Sequence, residues 1–169
     1  MAILCKDAAS NLTQSNSDLV VVCPLFQNTD VIIKRNDKIK SIAIQENKMF
    51  HEEYLRAKFE KTIEIHQTGR NALGYAYESG QVDAVFLDVA KSGSLSGETD
   101  YPMLNDTFVL VADKNYIGTK EYKNFVKAYN KAVNILNEDS LEMQRQIANY
   151  TNLKEERIKD WKVKLLTIK

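Results

Sequence analysis

Thr62-Ile63-Glu64-Ile65-His66-Gln67-Thr68-Gly69-Arg70-Asn71-Ala72-Leu73-Gly74-Tyr75-Ala76-Tyr77-Glu78-Ser79-Gly80-Gln81-Val82-Asp83-Ala84-Val85-Phe86-Leu87-Asp88 decides the fold class. Residues 62–66 alternate apolar and polar side chains, the period of a strand, and stop at Gln-Thr-Gly. Residues 70–79 then place Ala72, Leu73, Ala76 and Tyr77 on one helical face, with Gly80 set to end the helix. Residues 82–88 are largely apolar, the pattern of a strand covered on both faces inside a parallel sheet. A strand, a helix and a buried strand make one β-α-β unit, whose parallel crossover is right-handed.

The pattern extends in both directions. Before it, residues 2–5 and 18–23 are β-like, separated by a polar stretch at 6–16 that can hold a short helix. Residues 30–34 form a third strand, closed by the turn chemistry of Arg35-Asn36-Asp37, and residues 39–44 a fourth. Met49, Tyr54, Leu55 and Phe59 mark an amphipathic helix over 48–59. After it, residues 92–100 carry two glycines and four Ser/Thr and read as a loop. Residues 107–112 are the last clear strand. Thr119 caps a long helix striped by Tyr122, Phe125, Val126, Tyr129, Val133 and Leu136, and two more helices follow at 140–150 and 153–161. The prediction is an α/β fold with parallel sheets and a helical C-terminal end. Tyr75, Tyr77, Tyr122 and Tyr129, at helical spacing, are expected in the core.

Composition narrows the function. The 169 residues carry 23 Lys+Arg and 23 Asp+Glu, so no net field draws a polyanion and nucleic acid is not an expected partner. Residues 19–26, the longest apolar run, contain Pro24 and fall far short of the roughly 20 residues a membrane span needs. Residues 1–6 lack the basic segment of a signal peptide, which leaves a cytoplasmic location open. Cys5 and Cys23 make no disulfide framework and no C-x-x-C pair. His51-Glu52-Glu53 lacks the second histidine of a zincin, G-x-S-x-G is missing, and the glycines at 69 and 74 are not followed by Lys-Ser/Thr. No metal, cofactor or catalytic set is predicted.

Ligands of open parallel sheets gather beyond the carboxyl ends of strands. The candidate corners are therefore 5–7, 24–28, 45–47, 67–71 and 88–92. At 67–71, Thr68 can cap the helix, Gly69 permits close backbone approach, and Arg70 offers a planar fork to a carboxylate, sulfonate or phosphate. The alternative is an ordinary capped loop with Arg70 in solvent. Gln45 and Asn47 could hydrogen-bond a polar ligand, or Asn47 could cap the helix. Asp88 ends the most apolar strand and could meet a ligand amine or cap the turn after it. Gln27 lies at another strand end. Cys5, with Cys23, could face a cleft or pack as a small hydrophobe.

Four stretches carry a family resemblance. Residues 38–44 followed by Gln45-Glu46-Asn47, residues 71–85 with the helix-ending Gly80 and Val82-Asp83-Ala84, residues 107–112, and residues 146–153 are similar to segments of type II periplasmic-binding-protein-like folds. The nearest branch is that of ABC importer solute-binding proteins for sulfonates, nitrate and thiamine precursors. The resemblance implies two lobes, one of residues 1–36 and 101–169 and the other of 37–100, which close over a solute by hinge motion. The chain departs from the family by having no counterpart of its first β-α unit. Lobe 1 is thus expected to be incomplete at its N-terminus, or to be completed between chains in a homo-oligomer.

The function implied is non-enzymatic binding of a small polar or anionic solute for an ABC transporter permease, outside the cytoplasm. The expected site residues are Gln45, Asn47, Thr68, Gly69, Arg70, Asp88, Gln27 and Cys5. Two alternatives stand beside it: an enzyme of the same fold, of the menaquinone- or thiamine-precursor type, and a cytosolic ligand-sensing domain. An enzyme would have to draw its nucleophile or base from His51, His66, Cys5 or Asp88.

Overall fold

A computed structural model describes residues 1–59, 62–102, 106–151 and 153–169. In chain order the elements are β1 (Ala2–Cys5), α1 (Lys6–Ser15), β2 (Leu19–Gln27), β3 (Asp30–Lys34), β4 (Ser41–Gln45), α2 (Met49–Phe59), β5 (Glu64–Thr68), α3 (Leu73–Glu78) and β6 (Ala84–Asp88). They continue with α4 (Val89–Ser92), β7 (Glu98–Asp100), β8 (Asp106–Asp113), α5 (Lys120–Glu138), α6 (Ser140–Thr151) and β9 (Lys164–Leu165). The chain divides into two compact units, Met1–Thr29 with Leu104–Lys169 and Asp30–Met103.

The first unit holds a sheet in the order β1-β8-β2-β9, every pair antiparallel. On one face Ala9 of α1 packs with Val109 and Val111. On the other, the α5 stripe of Tyr122, Phe125, Val126 and Tyr129 covers Leu25, Leu110 and Ile168. Thr119 caps α5 as expected, its hydroxyl accepting the Tyr122 N–H at 3.2 Å. The C-terminal segment is tied to α5 by Asn130, whose amide donates to the Ile168 carbonyl and accepts its N–H, both at 2.8 Å.

The second unit holds the sheet β5-β4-β6-β3-β7. β5, β4 and β6 run parallel, while β3 and β7 join antiparallel. Ile32, Ile42, Ile44, Ala84 and Phe86 point to the face under α2, where Leu55 completes the core. Burying each large side chain fully contributes roughly 1.5–3 kcal/mol. α3 packs on β4 and β6 through buried Leu73, Ala76 and Tyr77. Asp83 fixes the start of β4, accepting the N–H groups of Lys40 at 2.9 Å and Ser41 at 3.1 Å. Those bonds, Lys40 foremost, hold its carboxyl below the usual carboxylate range.

Several expectations change. Among the described residues parallel pairing occurs only among β5, β4 and β6; β1 and β2 do run in one direction, but β8 is inserted between them, antiparallel to both. β2 continues through Pro24 to Gln27, with register shifts against β8 on both sides of the proline, the kind of irregular position at which a strand tolerates one. β3, expected in the lobe of residues 1–36, hydrogen-bonds into the second unit's sheet. The expected loop at 92–100 contains the short strand β7. There Gly97, at φ +147°, lets the chain pass where a Cβ would lie 2.7 Å from the Lys34 carbonyl oxygen. Residues 153–161 form only one 3-10 turn, Glu155–Arg157, and Tyr75 is exposed rather than in the core.

Candidate binding edge of the second sheet

Because β5, β4 and β6 are parallel neighbours, their carboxyl ends meet on one edge of the sheet. Gln45 is the register partner of Thr68, and Ile44 that of Phe86, so Gln45, Thr68 and Asp88 end adjacent strands. Each terminates its strand with a side chain that can hydrogen-bond. The loops beyond them are held together by backbone: the Glu46 N–H donates to the Thr68 carbonyl at 3.0 Å, and the Lys48 N–H to that of Gln45 at 3.3 Å. Asn47, between them, is exposed and adopts φ +60°, a left-handed turn conformation that Asn tolerates well.

The 67–71 corner departs from the expected cap. Thr68 ends β5, and α3 begins at Leu73 with Ala72 at its N-cap and no side-chain cap bond. Gly69 and Arg70 lie in the intervening turn, closed by the Ala72 N–H donating to the Gly69 carbonyl at 2.9 Å. A Cβ built on Gly69 meets nothing within 4 Å, so its surroundings are open on the protein side. Arg70 is exposed, and its carbonyl accepts from the Lys91 ammonium at 3.3 Å.

Asp88 caps α4, its Oδ1 accepting the Ala90 N–H at 2.8 Å. Burial pushes its carboxyl up despite that bond; the Asp30 charge pushes it further, while Arg70 and Lys48 pull it down. Burial and the Arg70 charge lower the neighbouring Lys91 ammonium. Asp30 opens β3 as the register partner of Asp88. His51, 2% exposed, stacks on Phe86 with ring centroids 3.8 Å apart and brings Nε2 to 3.3 Å from Asp30 Oδ2. Neither ring nitrogen has a hydrogen-bond partner among the described residues. Sequence reasoning missed Asp30 and weighed His51 only as a zinc ligand or an enzyme's base, because their place depends on β3 pairing with β6; the Asp at the very start of an apolar strand was the available signal.

The other two site candidates belong to the first unit. Gln27 donates its amide to Asp106 Oδ1 at 2.9 Å, a strand-end pair that closes β2 on β8. Cys5 is half-buried at the end of β1 opposite Phe108 and gives α1 no side-chain cap. Cys23 lies opposite Leu110, so β8 separates the cysteines by two strand spacings, about 10 Å. Burial raises the Cys23 thiol. The groups an enzyme would need are not paired with one another: His51 lies against Asp30, His66 against Glu64 at 3.4 Å, and Asp88 accepts from backbone. Among the described residues no three His, Cys, Asp or Glu side chains gather to hold a metal ion, and no helix is long and apolar enough to cross a membrane.

No protein-family model and no curated protein matches the sequence. Solved structures do match. The alkanesulfonate-binding protein SsuA from Xanthomonas axonopodis pv. citri, bound to MOPS, aligns over 92% of the chain at 17% identity and TM-score 0.65. The periplasmic aliphatic sulphonate binding protein SsuA from Escherichia coli aligns over 95% at 15% identity and TM-score 0.67. The fold is that of the two-lobed periplasmic binding proteins. An ABC transporter protein from Parabacteroides distasonis shares it over 98% of the chain, at 15% identity and TM-score 0.68. The chain spans 63% of the Xanthomonas protein and 67% of each of the other two. Within this periplasmic-binding-protein-like fold the edge formed by Gln45, Thr68 and Asp88 is a strand-end corner of the kind where ligands bind in open α/β sheets.

Proposed function

We propose that the chain binds a small polar or anionic solute at the carboxyl edge of the β5-β4-β6 sheet and delivers it to an ABC transporter permease outside the cytoplasm. One observation carries the reading. Three adjacent parallel strands end in Gln45, Thr68 and Asp88, and the loops between them present Asn47, an unobstructed Gly69 and the exposed guanidinium of Arg70. Binding needs no covalent step there: an arginine fork takes an acid group bidentately, and amide side chains and loop N–H groups take the remaining polar atoms. The likeness to sulfonate-binding structures agrees with an anionic group at Arg70.

The test is a thermal-shift screen of alkanesulfonates, nitrate, sulfate, phosphate, amino acids and pyrimidines. A solute that binds only the native state stabilises it by about 2.7 kcal/mol at a hundredfold excess over Kd. The expected result is stabilisation by one class, reduced in Arg70→Ala and Gln45→Ala proteins of unchanged circular dichroism. No stabilisation by any class, or stabilisation indifferent to both substitutions, overturns the site.

A further inference from the structure

We infer that this edge contains a cation pocket, in which Asp30 and Asp88, with buried His51 behind Asp30, receive a primary ammonium group of the solute; the inference rests on the binding reading above. Asp30 and Asp88 are direct partners across the antiparallel β3–β6 pair, so their side chains leave the same face of the sheet. Directly opposed residues hold their Cβ atoms about 5 Å apart, and like charges so placed repel. The Ala90 N–H engages only Oδ1 of Asp88.

His51 adds a buried polar ring beside the pair. It is 2% exposed, lies 3.3 Å from Asp30 Oδ2, and has both ring nitrogens without a hydrogen-bond partner among the described residues. A buried polar ring left this way costs free energy unless a ligand engages it or the group it touches. An anion would be repelled by both carboxylates. A metal ion would need more ligating side chains than the cluster gathers among the described residues. An ammonium brings three donors, enough for Asp30 and Asp88 together. The acid end of the same solute is left for Arg70.

The experiment is calorimetric titration with the ω-amino acids from glycine to 6-aminohexanoate, each set against the ω-hydroxy acid of the same chain length. The expected result is at least one amino acid binding roughly tenfold or more tighter than its hydroxy counterpart, the scale of a charge-assisted hydrogen bond. Asp30→Asn and Asp88→Asn should each abolish that preference, bringing the ratio of amino-acid to hydroxy-acid affinity to about one. Asn keeps the α4 cap, so loss of fold is not expected at position 88, and circular dichroism checks both variants. Equal or tighter binding of the hydroxy acids, an amine preference that survives both substitutions, or binding of no amino acid overturns the pocket. Amino and hydroxy acids that bind the wild type equally, with both lost in Arg70→Ala, overturn the pocket alone and leave the binding edge standing.

Discussion

Replacing Asp88 with Asn is expected to make the protein more stable at pH 7, although it removes a side chain placed at the binding edge. Asp88 lies opposite Asp30, and its carboxyl is held above its ordinary value, first by burial and further by the Asp30 charge. A carboxyl whose folded-state pKa is raised makes its favourable contribution in full below the unfolded value of about 3.9 and loses it as pH rises through the folded value. At pH 7 the ionised Asp88 is therefore a net cost to folding. Asn removes the charge and keeps a side-chain oxygen for the Ala90 N–H, now accepted at 2.8 Å. Asn and Asp are near-equal N-caps, whereas Ala forfeits about 1 kcal/mol. Like charges directly opposed across strands cost roughly 0.2–1 kcal/mol, which sets the expected gain for Asp88→Asn. Asp88→Ala should fall about 1 kcal/mol below the Asn variant, because it sheds the same charge without keeping the cap. Urea denaturation followed by circular dichroism, with midpoints compared at constant slope, reads both differences. Repeating it at pH 4.5 should shrink the Asn advantage, since the wild-type carboxyl is then closer to neutral. An Asn variant less stable than wild type at pH 7, or an advantage that grows on acidification, refutes the reasoning.

Gly97→Ala should cost about 2–4 kcal/mol, because its backbone at φ +147° is nearly glycine-only and the added Cβ would lie 2.3 Å from the Tyr77 hydroxyl. Gly69→Ala, with open space around it, should stay within about 0.5 kcal/mol of wild type in the same urea assay, and equal effects would sink both estimates. Asp83→Asn should lose about 0.5–1 kcal/mol at pH 7, a figure kept small by solvent screening. Its carboxyl is held low by the Lys40 and Ser41 N–H bonds, so that stability is present above the unfolded value and is lost as pH falls through the folded one; a difference unchanged by acid would contradict this. Asn130→Ala removes both hydrogen bonds to Ile168 and should cost about 1–3 kcal/mol, with faster amide exchange over residues 164–168 as the local signature.

The β-α-β unit at 62–88 was legible because its information is local. Alternation marks β5, a helical face with a terminal glycine marks α3, and an apolar run marks β6. The strand-end rule then names Gln45, Asn47, Thr68, Gly69, Arg70 and Asp88, which the parallel register of β4 with β5 and β6 brings to one edge. Strand direction was not legible elsewhere, since alternation states which face of a strand is buried and not which strand lies beside it. β8 arrives late in the chain and inserts between β1 and β2, converting an apparent parallel neighbour pair into two antiparallel ones. β7 was hidden by its Ser/Gly/Thr surroundings, and β9 by having only two residues. Thr68 was misread as a helix cap because the Gly69-Arg70-Asn71-Ala72 turn separates it from α3.

The alternatives written for Asp88, ligand group or cap, turn out not to exclude each other. A carboxylate has two oxygens, and the cap uses Oδ1 alone. Capping fixes the rotamer, so that Oδ2 is presented in a set direction without further loss of side-chain entropy when a solute arrives. Burial and the opposed Asp30 make the ionised form costly, and an arriving ammonium would relieve that cost. The free energy withheld from folding is thereby available to binding. The stability gain expected of Asp88→Asn and the amine preference it should abolish are therefore two readouts of one arrangement. Finding the first without the second would mean that Asp88 is strained for a reason other than the solute.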